Sequence, residues 1–277
     1  MAILTLKNVS LTYFSLDGET EALKNINFSV EEGEFVSIVG PSGCGKTTIL
    51  SLISGLIKPT SGEITIGENK EKGCGYMFQK DHLFEWRTIL SNVYLGLEIQ
   101  GKKTPENMEY VNNLLKKYGL WAFRHKHPSQ LSGGMRQRVA LIRTMALKPK
   151  IMLLDEAFSA LDYQTRLSVC DDISSILKQE NVTSVLVTHD INEAITMSDK
   201  IIVLSKRPAS VKSEHIINLQ HYGSPLIRRK SPEAGKLFDI IWKELQEWKT
   251  FILRNTKHFY AKRSKNRLLL WQFKLVF

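Results

Sequence analysis

The amino-acid sequence predicts an α/β fold on a parallel core sheet, and three features of the pattern predict it. A compact apolar run, Phe35–Val39, stops at a glycine-rich loop, and a helical pattern follows over Thr47–Leu56. Buried-type strands recur at Ile151–Leu154, Val182–Thr188 and Ile201–Leu204, with a helical pattern between the first two. Between these two blocks, residues from roughly Thr88 to Lys148 read as mostly helical, an insertion into the strand–helix alternation.

The elements follow in order. Short β-like runs open the chain at Ile3–Val9, Ile26–Val30 and Glu63–Ile66, punctuated by Gly33 and Gly62. Inside the insertion, Met135, Val139, Ile142 and Ala146 recur at helix spacing, and Pro149 stops the run. Pro232–Arg254 is again an amphipathic helical pattern.

Composition narrows the class. The chain has 277 residues, 43% hydrophobic and 24% charged, which excludes a mostly disordered chain. No stretch reaches the ~20 apolar residues of a membrane helix. The opening MAILTLKNVS lacks the basic, apolar and small-residue regions of a secretory signal. Three cysteines, Cys44, Cys74 and Cys170, without metal-ligand spacing, fit a reducing cytosol rather than a disulfide framework or zinc site. The net charge of +10 is uneven: residues 1–205 hold 22 Lys/Arg and 23 Asp/Glu, while residues 206–277 hold 16 and 5. Such a basic end fits a solvated tail or an anionic partner, either membrane headgroups or nucleic acid.

Gly40-Pro41-Ser42-Gly43-Cys44-Gly45-Lys46-Thr47 fits G-x-x-x-x-G-K-[ST] between a strand and a helix. Glycines let backbone N–H groups turn around phosphate oxygens, and the helix N-terminus adds its positive dipole end. Lys46 then reaches the β- and γ-phosphates, and Thr47 offers a hydroxyl to Mg²⁺. Thr48 completes the candidate nucleotide contacts. Cys44 reads as a small space-filler, the alternative being a redox switch with a thiol pKa lowered at the helix end. A second cluster ends the run Ile151–Leu154 in Asp155 and Glu156. It lies where an open α/β sheet places ligands. Asp155 there suits Mg²⁺ held through water, and Glu156 suits polarising an attacking water.

Leu131-Ser132-Gly133-Gly134-Met135-Arg136-Gln137-Arg138 precedes that cluster and resembles the signature motif of ATP-binding cassette (ABC) ATPases. Tyr13 resembles the aromatic residue that stacks on adenine, and Gln79 the Q-loop glutamine. Ser159-Ala160-Leu161-Asp162 resembles the D-loop, and His189 the switch histidine. The resemblance covers residues 1–205 firmly and 206–248 loosely. It implies a P-loop NTPase cassette with a parallel core sheet, an antiparallel β subdomain and an inserted helical subdomain at about 88–149. A C-terminal helical extension over 206–248 and a basic tail over 249–277 would follow. Glu156, His189, Gln79 and Lys46 take the catalytic roles, with Thr47, Gln79 and Asp155 at the metal. Ser132-Gly133-Gly134 opens a helix, so it is a second anion-binding N-terminus. In the family this motif faces the phosphate loop of the other subunit. That implies a head-to-tail homodimer clamping two MgATP, with Ser132, Gly133, Gly134 and Asp162 at the contact.

Lys46 and Leu131 lie 85 residues apart, too close for the coiled-coil insertion of DNA-repair cassettes. One cassette with no fused membrane domain is similar to bacterial importer subunits. Gln79–Val93 and Leu161–Arg166 resemble the nitrate/sulfonate/taurine import subfamily. The implied partners are transmembrane permease subunits and, indirectly, an extracytoplasmic solute-binding protein, at the cytoplasmic face of the membrane. Glu85 replaces the proline common before Trp86, placing a charge at the expected permease contact. Trp86 itself fits either a core anchor or a permease-facing residue. The alternative function is a soluble nucleic-acid-associated ATPase, which rests on the basic end alone.

Overall fold

The computed structural model describes residues 2–16, 18–67 and 73–246. The basic tail expected over 249–277 lies outside the described residues.

Two sheets form the frame. The first is antiparallel, in the order β2-β1-β4: β1 (Ala2–Ser15), β2 (Gly18–Glu31) and β4 (Ser61–Ile66). Register shifts along β1 turn Leu4, Leu6, Val9 and Leu11 all inward, although their spacing is not a strict alternation. Both long strands extend well past the runs predicted for them, because their outer halves are polar and exposed.

The second sheet has six strands in the order β5-β6-β7-β3-β8-β9: β3 (Phe35–Val39), β5 (Cys74–Met77), β6 (Ile151–Asp155), β7 (Thr183–Val187), β8 (Lys200–Leu204) and β9 (Val211–Ile216). The first five are mutually parallel, and β9 adds an antiparallel edge to β8. Strands β3, β7 and β8 are buried at every residue, as a parallel sheet covered on both faces requires. One face packs on α1 (Lys46–Ile53) and the antiparallel sheet, through residues such as Ile38, Ile49, Leu153 and Val185. Leu154 and Leu186 turn to the other face and join the helical insertion.

That insertion runs from β5 to β6 as α2 (Ile89–Ile99), α3 (Pro105–Lys117) and α4 (Gly133–Met145). Each helix starts where a hydroxyl caps it: Thr88, Thr104 followed by Pro105, and Ser132. Val139, Ile142 and Ala146 are buried, and Met135 packs beside them half-exposed. Helix α5 (Tyr163–Gln179) lies against α4, and α6 (Ile191–Met197) follows β7. After β8 come β9, the short α7 (Pro225–Arg228) and a helix α8 over 232–246. Ile217, Leu219, Ala234 and Ile241 seal this extension onto α6 and β8. The described part of α8 falls within the predicted helix; its predicted end at Arg254 does not lie among the described residues.

Candidate active site

Parallel strands place all their carboxyl ends on one side, and this decides where the predicted residues go. Adjacent strands β5, β6, β7 and β3 end, respectively, two residues before Gln79, at Asp155, two before His189 and one before Gly40. Segments more than a hundred residues apart thus meet along one edge. Asp155 pairs with Val187, and Val187 with Ile38, so these ends also stand level.

The glycine-rich loop turns through Gly43 and Gly45, at φ 71° and 118°. Gly45 is the N-cap of α1 and supplies no side-chain cap, so the first-turn N–H groups remain available as donors. Lys46 is 7% exposed. Its Nζ donates to the carbonyls of Gly40 and Pro41 at 3.0 and 3.1 Å, which satisfies the buried charge. Cys44 is buried, and burial pushes its thiol pKa up while Lys46 pulls it down. The net rise favours the space-filling role over the thiolate switch.

Asp155 is held on both oxygens. Thr47 Oγ1 donates to Oδ1 at 3.0 Å, and the Tyr76 hydroxyl donates to Oδ2 at 3.0 Å. Burial raises the carboxyl pKa above its ordinary value, partly offset by these two donors. The same burial and the neighbouring Asp155 push the Tyr76 phenol up. Tyr76 escaped the sequence reading. Its signal was faint, a hydroxyl-bearing position in the short run before Gln79.

Glu156 and His189 come together: His189 Nδ1 lies 3.4 Å from Glu156 Oε2. Glu156 has φ +46°, in the left-handed region, and its N–H donates to Val187 O at 2.8 Å. Tyr13, near the end of β1, reaches across to α1, its hydroxyl 3.5 Å from Thr48 Oγ1. Tyr13 is 45% exposed, which leaves it accessible for stacking. Gln79 is exposed just beyond β5.

The signature segment stands apart. Among the described residues, no hydrogen bond joins Ser132–Gly134 to Gly40–Thr48. Ser132 caps α4 by accepting from Met135 N–H at 3.4 Å. A Cβ at Gly134 would lie 2.9 Å from Val169 Cγ2, so the glycine lets α4 approach α5. Asp162 caps α5 by accepting from Thr165 N–H at 3.1 Å, and hydrogen bonds from the Thr165 side chain and then its backbone lower the Asp162 carboxyl pKa. Two arginines of α4 fix the loop after Gln79. Arg136 pairs with Asp81 at 2.8 Å and with Glu85 at 2.7 Å. Arg143 donates to the carbonyls of His82 and Asp81 at 2.6 and 2.7 Å. The charge of Glu85 is therefore answered within the chain. Trp86 is 74% exposed, which excludes the core-anchor reading.

The donor set suits Mg²⁺. Thr47 and Asp155 offer hard oxygens beside the phosphate loop. The described residues hold no cluster of three or more His, Cys, Asp or Glu that would form an all-protein cage. Mg²⁺ bound largely through substrate phosphates needs none.

Comparison with known proteins agrees with this geometry. The ABC transporter family model matches residues 23–159. The uncharacterized ABC transporter ATP-binding protein YtlC of Bacillus subtilis (strain 168) is 46% identical over 250 residues, 88% of this chain and 96% of its own. The nitrate import ATP-binding protein NrtD of Synechocystis sp. is 40% identical over 220 residues, 78% of this chain and 83% of its own. A dimeric structure of a post-hydrolysis state of an ATP-binding cassette, bound to ADP and Pi, superposes with a TM-score of 0.64 at 36% identity. It covers 78% of this chain and 99% of that one. The fold, the placement of the motifs and these likenesses lead to one conclusion: the chain belongs to the ABC transporter ATP-binding family.

Proposed function

We propose that this chain is the ATP-hydrolysing subunit of an ABC importer that drives uptake of a small solute, an anion such as nitrate, a sulfonate or taurine. The observation that carries the ATPase chemistry is the meeting of Lys46, Asp155, Glu156 and His189 at adjacent strand ends. The 40% identity to a nitrate import subunit favours import and an anionic solute. Two copies close head to tail, so that Ser132–Gly134 and Asp162 of one face the phosphate loop of the other. A permease contacts the exposed Trp86 loop from the membrane, at its cytoplasmic face, and a solute-binding protein acts through that permease. Residues up to about 205 form most of the cassette. The helical extension expected over 206–248 begins later, because β9 first adds an edge strand to the core sheet and only α7 and α8 follow as helices. The nucleic-acid alternative draws only on the basic end, whose last part lies outside the described residues.

The residues divide the work. Loop N–H groups and Lys46 bind the phosphates, and Tyr13 stacks on the adenine. Thr47, Asp155 and Gln79 would hold Mg²⁺, which when bound supplies charge neutralisation on the β- and γ-phosphates. Glu156 accepts a proton from the attacking water, and His189 holds that carboxylate and the reacting phosphate in place.

Glu156→Gln tests the assignment. ATP binding persists, an ATP-dependent dimer accumulates, and hydrolysis falls by about 10²-fold or more. Hydrolysis at the parent rate would remove Glu156 from the role of base. The same variant, tagged and recovered from solubilised membranes with ATP present, brings down a multispanning permease. Recovery with nucleic acid alone, lost at high salt, would move the protein to the alternative class.

A further inference from the structure

We propose that Arg166 is a positioning residue for ATP hydrolysis: its guanidinium ties the segment carrying Glu156 to the segment carrying His189. The inference rests on the ATPase reading above. It starts from the strained backbone of Glu156, at φ +46°. A non-glycine residue there persists only where its surroundings hold it. Ser159 does much of the holding, since its N–H and its hydroxyl both donate to the Glu156 carbonyl, at 3.0 and 2.9 Å. The Ser159 carbonyl in turn accepts from Arg166 Nη2 at 3.3 Å, and the Leu161 carbonyl accepts from the same nitrogen at 2.9 Å. The turn between Glu156 and α5 is thus gathered onto one cation.

The same cation faces the other segment. Arg166 Nη1 lies 4.0 Å from Asp190 Oδ2. Asp190 directly follows His189 and caps α6, accepting from Asn192 and Glu193 N–H at 2.8 and 3.3 Å. A shift of Arg166 would therefore reach both members of the pair that stand 3.4 Å apart. Arg166 itself is anchored in the first turn of α5, where its N–H donates to Asp162 O at 2.9 Å. A planar fork can serve two carbonyls and a carboxylate together, whereas an ammonium presents a single point of charge. Arg166 makes no contact with the phosphate loop in any hydrogen bond or ion pair among the described residues, so binding of ATP does not depend on it.

The test uses the full chain and three measurements: steady-state hydrolysis, equilibrium ATP binding and thermal unfolding. Arg166→Met lowers kcat about ten- to a hundredfold, the cost of misplacing catalytic groups slightly, while KM and ATP affinity stay at the parent values. Arg166→Lys recovers part of that loss. A folded Arg166→Met with the parent kcat overturns the proposal. So does a fall in kcat matched by weaker ATP binding, which would mark a general structural role. If Arg166→Met does not fold, Arg166→Lys decides alone: reduced kcat at unchanged KM supports the proposal, and parent kcat overturns it. A parent chain with no ATPase activity would instead overturn the functional reading, and this inference with it.

Discussion

Two helix N-termini in this chain, both proposed above to meet phosphate, are built in different ways. At α1 the cap is Gly45, left-handed and without a side-chain acceptor, and the loop before it bends around the site where phosphate would sit. At α4 the cap is Ser132, which already satisfies one N–H, and Arg136 and Arg143 tether the helix to residues 81–85. The first end is left uncapped by any side chain, while the second is capped and tethered by its neighbours. An end that keeps its donors free can bind alone. An end that is capped and clamped contributes when something else brings the phosphate to it.

Substitutions can break or sharpen that contrast. The largest effect is expected at Lys46→Ala, which removes the one buried cation of the loop and abolishes measurable ATP binding by the single chain. Equilibrium titration with a fluorescent ATP analogue checks it, and retained affinity would show that α1 binds through its backbone alone. Gly45→Ala comes next. A Cβ there meets Leu23 Cδ2 at 2.8 Å in a conformation, φ 118°, that side chains rarely adopt. The strain should cost about 2 kcal/mol of stability, read from denaturant unfolding, together with weaker nucleotide binding.

Asp81→Asn acts on the clamp of α4. Burial would raise the Asp81 carboxyl pKa, but the hydrogen bonds from Arg136 and Leu83 outweigh it and hold it below the ordinary 3.8. A carboxyl depressed in the folded state adds stability that is present above its unfolded pKa and lost as pH falls through the lower, folded value. The variant therefore loses about 1.5 kcal/mol near neutrality. Its stability also falls less steeply than the parent's below about pH 4, in unfolding series from pH 6 to pH 3. An unchanged acid limb would detach Asp81 from the clamp. Ser132→Ala is the mildest, at about 1 kcal/mol for a lost cap. ATP affinity of the single chain stays put while the ATP-dependent dimer of the Glu156→Gln background weakens, as size-exclusion chromatography would show. Should Ser132→Ala weaken single-chain binding as Lys46→Ala does, the two helix ends are not different in kind.

How much could be read beforehand follows from local chemistry. Phe35–Val39 and Ile201–Leu204 announced themselves because strands covered on both faces must be apolar throughout. Strand β9 did not: Val211–Ile216 is an edge strand of mixed polarity, with Lys212, Glu214 and Ile216 turned to solvent. Strand β5 is four residues long and includes Gly75, which stands close to Thr144 and Pro149. In the site, the phosphate loop and the Asp155–Glu156 pair were visible as contiguous motifs. The two ties to Asp155 differ instructively. Thr47 belonged to a motif, while Tyr76 comes from a different strand and joins only through the pairing of β5 with β6. Arg166 stood in the Leu161–Arg166 run, but its tie was hidden for the same reason, since its partner Asp190 is 24 residues further along the chain.

The order β5-β6-β7-β3 also has a consequence in time. Lys46, Gln79, Asp155 and His189 become neighbours only when four parallel strands have found each other across long stretches of chain. Pairings of that range are slow, because loop-closure entropy is lost before the contacts form. Helices α2 to α4, whose backbone hydrogen bonds are local, are free to form earlier. During refolding, helical signal therefore precedes nucleotide-binding competence, and a nascent chain that has not yet emerged beyond β7 has its phosphate loop in sequence but no site for it to serve.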